Sequence, residues 1–211
     1  MRKIVVVNFK TYKQGQAVLN LARVLGKVDK RVILGVQACD VAEIVGVVGN
    51  PVYVQHVDWQ KPGRGTGFVL PEAVKADGAV GVFLNHSEHK ISFGVLKKTV
   101  KRCREVGLRV LIFVSDLKEA KRVRKLRPDY LVVEPPELVG GSKSVSSVKG
   151  YVANLKKKLG GDFLVGAGVK SREDVVSALK DGASGVAVSS GVVKARNPGK
   201  ILRELIGYIN V

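Results

Sequence analysis

Eight short runs of aliphatic and β-branched residues, each followed by a longer segment of helical character, constrain this chain more than any other feature. The runs are Ile4–Asn8, Val32–Val36, Val52–Gln55, Ala79–Leu84, Leu108–Val114, Tyr130–Val133, Phe163–Gly166 and Gly185–Val188. Apolar runs of four to seven residues suit strands buried on both faces, as strands of a parallel sheet are. Helices are expected at about 15–28, 40–48, 71–76, 91–106, 116–126, 145–159, 171–181 and 191–209. Strand–helix alternation requires parallel pairing with right-handed crossovers. Eight such units point to an α/β fold, a single-domain (β/α)8 barrel of parallel strands over residues 1–211. An open doubly wound sheet satisfies the same periodicity. The connection at 56–70, rich in Gly and Pro, reads as a long functional loop.

Several helix boundaries carry their own mechanism. Ser171 with Glu173 and Asp174 suits a capped, dipole-compensated start, and Asp181-Gly182 suits the end of the same helix. Asp116 with Glu119 three residues on has the form of a capping box. Val148, Val152, Leu155 and Leu159 recur on one helical stripe.

Thirty-six Lys and Arg against eighteen Asp and Glu give a formal charge of +18. Such an excess attracts phosphorylated metabolites, nucleic acids and anionic membranes. Most of the basic residues fall in helical segments, where a solvated outer face is the plainer reading. Nucleic-acid binding is therefore expected only as a secondary effect of the basic surface, since no aromatic interleaving accompanies the charge. No apolar segment approaches the roughly 20 residues that span a bilayer, so no membrane association is expected. The N-terminal apolar run is too short for a secretory signal, which makes cytoplasmic the expected location. Cys39 and Cys103 and the three histidines show no metal-ligand spacing, so neither metal nor cofactor is expected.

On a barrel reading, the residues that follow each strand gather at one mouth, where such folds place their chemistry. Asn8 and Lys10 end the first strand as alternate residues and can point the same way. His86 and Glu88 follow the fourth strand, and a histidine there can donate a hydrogen bond to a carbonyl or enediolate; His89 reads as structural. Glu134 ends the sixth strand, ahead of Pro135-Pro136, and a carboxylate deprived of water makes a base for a carbon acid. Gly140-Gly141-Ser142 offers a hinge and bare backbone donors. Gly168, after the seventh strand, and Ser189 and Ser190, after the eighth, suit a phosphate.

Taken together, these segments resemble the triosephosphate isomerase family in its compact archaeal form. The matching stretches are NFKTY at 8–12, QHVD at 55–58, KPGRGTG at 61–67, LPEAV at 70–74, LNHSEHK at 84–90, VVEPPELVG at 132–140, GAGVKSREDV at 166–175 and SSGVVKARNP at 189–198. The resemblance implies interconversion of dihydroxyacetone phosphate and D-glyceraldehyde 3-phosphate, in glycolysis and gluconeogenesis, without cofactor or metal. It implies Glu134 as base, His86 as neutral electrophile and proton shuttle, Lys10 and Asn8 as substrate ligands, and Glu88 as support for the lysine and histidine. It also implies a phosphate held by Val139, Gly140, Gly168, Ser189 and Ser190 under a loop closing from Pro135 to about Ser142. The usual Gly-Thr-Gly ending of that loop is replaced by Gly140-Gly141-Ser142, and Phe113 replaces a cysteine often found near the end of the fifth strand. Thr66 matches a residue that reaches a neighbouring active site, which implies a homodimer. The alternative homotetramer would bring together the basic fourth and fifth helical segments, a costly juxtaposition.

Overall fold

A computed structural model describes residues 3–135, 144–147, 150–207 and 209. Eight strands form: β1 (Ile4–Asn8), β2 (Ile33–Val36), β3 (Val52–Val54), β4 (Gly81–Leu84), β5 (Arg109–Val114), β6 (Tyr130–Val133), β7 (Leu164–Val165) and β8 (Gly185–Val188). Each pairs in parallel with its sequence neighbours, and β1 also pairs with β8, so the sheet closes. Closure excludes the open doubly wound alternative. The strands fall within two residues of the expected limits and are shorter at several ends.

Alternation along the strands separates two cores. Val6, Ile33, Tyr53, Phe83, Leu111, Phe113, Val132, Leu164 and Ala187 pack inside the barrel. Their out-of-phase neighbours, among them Val5, Val7, Leu34 and Val133, pack beneath the helices. Barrel filling alternates large with absent side chains: a Cβ on Gly35 would lie 2.0 Å from the Phe83 ring. Truncating Phe83, which is 1% exposed, to alanine would cost about 3–5 kcal/mol.

The helices are α1 (Gln16–Gly26), α2 (Val41–Val45), α3 (Pro71–Ala76), α4 (Phe93–Glu105), α5 (Leu117–Arg124), α6 (Tyr151–Leu159), α7 (Arg172–Lys180), α8 (Ser190–Val193) and α9 (Pro198–Ile206). Three differ from the sequence expectation for identifiable reasons. The segment expected as one helix at 191–209 divides into α8 and α9, because Pro198 starts a new helix at a position that needs no N–H, and Asn197 caps it by accepting from Lys200 N at 3.0 Å. The helix expected from 145 begins at Tyr151, after a 3₁₀ turn at Val145–Ser147 and Gly150 at φ 72°; Val148 of the expected stripe lies outside the described residues. Asp116 does cap α5, accepting from Glu119 N at 2.7 Å, but Glu119 does not complete a box. Its carboxylate accepts from Ser115 N at 2.7 Å and turns inward to Asn85 and Lys90 instead. The α7 start matches expectation fully, with Ser171 and Asp174 in a reciprocal capping box.

Candidate active site

The alternation that fills the barrel also builds its mouth. Two residues beyond inward-facing Val6, Tyr53, Val132, Leu164 and Ala187 stand Asn8, Gln55, Glu134, Gly166 and Ser189, so one more layer of inward positions is polar or bare. A cavity of about 480 Å³ opens there, lined among others by Asn8, Lys10, His86, Glu134, Gly168, Ser189 and Ser190. Every expected site residue within the described chain lines it except Glu88, which touches it through Lys10 and His86. Val139 and Gly140, expected to hold phosphate, lie outside the described residues.

Asn8 is buried and accepts from Lys10 N at 2.9 Å and from Gln55 Nε2 at 3.2 Å. Gln55 also donates to the carbonyls of Lys10 and Gly35, at 3.0 and 3.2 Å. From one residue beyond β3, this glutamine therefore ties the end of β1 to the end of β2. Lys10 has φ 48°, a left-handed conformation that costs a non-glycine residue roughly 1–2 kcal/mol. The turn carries the ammonium inward, where Nζ donates to Glu88 Oε1 at 2.6 Å.

His86 follows Asn85, a buried residue at φ 61° whose amide donates to Phe113 O at 2.9 Å and Glu119 Oε1 at 2.8 Å. Asn85 Oδ1 accepts from Ile91 N at 3.3 Å, and Lys90 Nζ lies 2.9 Å from both oxygens of Glu119. Both ends of the 85–91 loop are thus tied to the barrel wall. The Phe113 ring meets the imidazole edge-on at 4.7 Å between centroids. Glu88 N donates to His86 Nδ1 at 3.1 Å, so the neutral ring carries its proton on Nε2. Burial pushes the imidazole pKa down to about 4, outweighing the opposite pull of Glu88, with Lys10 and Lys90 adding to the depression. The ring is neutral, with an N–H aimed into the cavity.

His86 Nε2 lies 3.6 Å from Glu134 Oε2. Glu134 is anchored by its own N–H on Val114 O at 2.8 Å, and the residue is 7% exposed. Burial raises its pKa to about 7 against the lowering effects of Lys10 and of Ser87, whose hydroxyl donates at 3.4 Å. Space for the carboxylate depends on Gly166, where a Cβ would come within 2.4 Å of Val132 and 2.7 Å of Glu134 Cγ. The Ser189 hydroxyl is buried without a hydrogen-bond partner among the described residues. Ser190 and Gly191 open α8, where backbone N–H groups have no partner within the helix. His89 is exposed and lies outside the cavity lining, with its ring 4.4 Å from that of His56, whose Nε2 lies 3.3 Å from Asp58 Oδ1.

Sequence reasoning missed Gln55, Asn85, Glu119 and the steric part of Gly166. Gln55, Asn85 and Gly166 do fall within the matching stretches at 55–58, 84–90 and 166–175, but nothing local to them marks these roles.

A carboxylate with pKa near neutrality, facing a neutral imidazole and an ammonium at the C-terminal mouth of a closed barrel, defines an enzyme of acid–base proton transfer on an anionic substrate. Comparison with known proteins narrows the class. The family model described as triosephosphate isomerase matches residues 3–206. A triosephosphate isomerase of Methanocaldococcus jannaschii is 39% identical, covering 98% of this chain and all of that one. One of Saccharolobus solfataricus is 35% identical over 96% and 94% of the respective chains. The chain belongs to the triosephosphate isomerase family. The fold likeness extends to a crystal structure of the Bartonella henselae enzyme, with a TM-score of 0.74 at 19% identity, covering 96% of this chain and 98% of that one.

Proposed function

We propose that the chain interconverts dihydroxyacetone phosphate and D-glyceraldehyde 3-phosphate through an enediolate, as a triose-phosphate isomerase of glycolysis and gluconeogenesis. Carried by the pairing of Glu134, held near neutrality, with an imidazole held neutral 3.6 Å away, the reading assigns each group one task. Glu134 removes the proton beside the carbonyl and returns it to the adjacent carbon. His86 donates from Nε2 to the oxygen that gains charge and passes a proton between the two oxygens. Lys10 neutralises the developing enediolate, Asn8 orients its oxygens, and Glu88 holds the ammonium and, through its N–H, the tautomer of His86. This family is itself the standard example of such a Glu and neutral-His division of labour. Gly168, Ser189 and Ser190 receive the phosphate, together with Val139 and Gly140.

A base with a pKa near 7 is half ionised at neutral pH and still strong enough to accept a carbon-bound proton, the compromise that general-base catalysis favours. The protein works as one barrel domain in a cytoplasmic homodimer, with the homotetramer as the alternative. Among the described residues no helix is long and apolar enough to cross a membrane.

The test is glyceraldehyde 3-phosphate conversion in a coupled assay for the parent protein and for Glu134→Gln. Activity that falls by several orders of magnitude in the variant supports the assignment. Equal activity in both would remove Glu134 from the chemistry.

A further inference from the structure

Half of the net charge of this protein sits in one sixth of its length. Residues 93–127, from the start of α4 to just past α5, contain twelve Lys and Arg against three Asp and Glu. An equally long stretch on the far side of the barrel, residues 172–206, contains six against four. General basicity of the chain does not produce that contrast.

The two helices form one continuous face. Arg122 of α5 lies over the Phe93 ring of α4 at 3.8 Å, and Arg104 of α4 donates to the Leu126 and Arg127 carbonyls beyond α5. Lys98 lies over the Trp59 ring at 4.5 Å, which extends the face to the loop after β3. Lys97, Lys101, Lys118, Lys121 and Lys125 are all exposed. Among the described residues, the only carboxylate within ion-pair range of these five is Glu105, 3.9 Å from Lys101.

Their spacing is unfavourable in isolation. Lys97 and Lys101, Lys118 and Arg122, and Lys121 and Lys125 are each four residues apart, where like charges repel across one helical turn. A solvated outer face would intersperse acids at these spacings, as Lys200 and Glu204 do on α9 at 3.8 Å. A second copy packed through the same face about a two-fold axis would oppose lysines to lysines. What relieves the repulsion is a partner of dense negative charge, and a nucleic-acid duplex presents one charge per about 1.7 Å of its axis. The 13 residues of α4 extend about 20 Å, enough to lie along several phosphates.

We infer that the α4–α5 face is a binding surface for the phosphate backbone of nucleic acid, engaged without reading base sequence. The interaction is independent of the barrel mouth and goes beyond the isomerase reading. Five lysine–phosphate contacts give a slope of about −4.5 in log affinity against log salt. Binding then weakens by a factor on the order of 500 between 50 and 200 mM salt.

The experiment measures anisotropy of a labelled 20-base-pair DNA duplex of arbitrary sequence across that salt range. Parent protein is compared with K97E/K101E/K118E/K121E and with K27E/K30E/K180E/K200E, which removes the same charge from other exposed positions. The expected result is a slope falling from about −4.5 to about −1 in the first variant, with affinity lost at least tenfold at 50 mM salt. The second variant should change affinity less than threefold. Thermal unfolding and isomerase turnover, unchanged in both variants, establish that folding is intact. Equal losses in the two variants, or no binding by the parent at 50 mM salt, would overturn the inference. So would polyglutamate binding as tightly as duplex, which would assign the face to an acidic protein. Dissociation of a parent oligomer by the first variant alone, in sedimentation, would assign it to self-association and likewise overturn the inference.

Discussion

Replacing Glu134 by glutamine keeps the shape of the side chain and removes a charge that the fold holds at a cost. The carboxyl has an ordinary pKa of 4.5 and one of about 7 in its buried position. At 1.36 kcal/mol per pH unit, that difference corresponds to about 3 kcal/mol. Below pH 4.5 the group is protonated whether the chain is folded or not, and the cost is absent. As pH rises from 4.5 to 7 the unfolded chain ionises first, and folding stability falls by the full amount. His86 acts in the opposite direction, with a pKa of about 4 against an ordinary 6.5. Its cost is absent above pH 6.5 and grows to about 3 kcal/mol as pH falls to 4. The two slopes largely cancel in the parent protein.

Each single variant should therefore uncover the other's slope. Urea denaturation at fixed protein concentration and ionic strength, from pH 4 to 8, measures this directly. Relative to the parent, Glu134→Gln should gain about 3 kcal/mol between pH 4 and pH 8, on top of any pH-independent packing offset. His86→Gln should lose about 3 kcal/mol relative to the parent over the same rise. Stability curves that stay parallel to the parent's would refute the claim that burial has shifted these two groups.

Other expectations concern the site's geometry. The rate constant kcat/KM should rise tenfold per pH unit up to about pH 7 and then level off as Glu134 ionises, once the substrate phosphate's own ionisation near pH 6 is allowed for. Ser87→Ala should move that break upward, because the hydroxyl's hydrogen bond lowers the carboxyl pKa; a downward shift would contradict the hydrogen bond. Gly166→Ala should destabilise the fold by about 1–3 kcal/mol and depress kcat, since the new methyl meets Val132 and Glu134; thermal melts and turnover numbers check both. At φ 48°, Lys10→Gly should unfold at higher temperature than Lys10→Ala, by an amount corresponding to about 1 kcal/mol, with both inactive in the coupled assay.

Much of this architecture could be read before any coordinates, because period and chemistry coincide in it. Strands buried on both faces leave uninterrupted apolar runs, so all eight are visible, and residues just past them fall at the mouth whatever the packing in detail. Glu134, His86, Lys10 and Asn8 were legible for that reason. The last helix was not, because the apolar period continues through a proline that restarts the helix. Glu119 looked like half of a capping box, and only its long-range contacts with Lys90 and Asn85 redirect it. Gln55 serves β1 from β3, and Gly166 makes room for a side chain 32 positions earlier. Such roles depend on which strands become neighbours, and local sequence does not record them.

The central claim is that Glu134 carries a proton between adjacent carbons of the substrate. Turnover of dihydroxyacetone phosphate in deuterium oxide, with the product trapped and examined by proton NMR, tests it most directly. The account predicts that part of the glyceraldehyde 3-phosphate carries deuterium at carbon 2, and that Glu134→Gln forms neither labelled nor unlabelled product at a comparable rate. Product formed at full rate by the variant would contradict it.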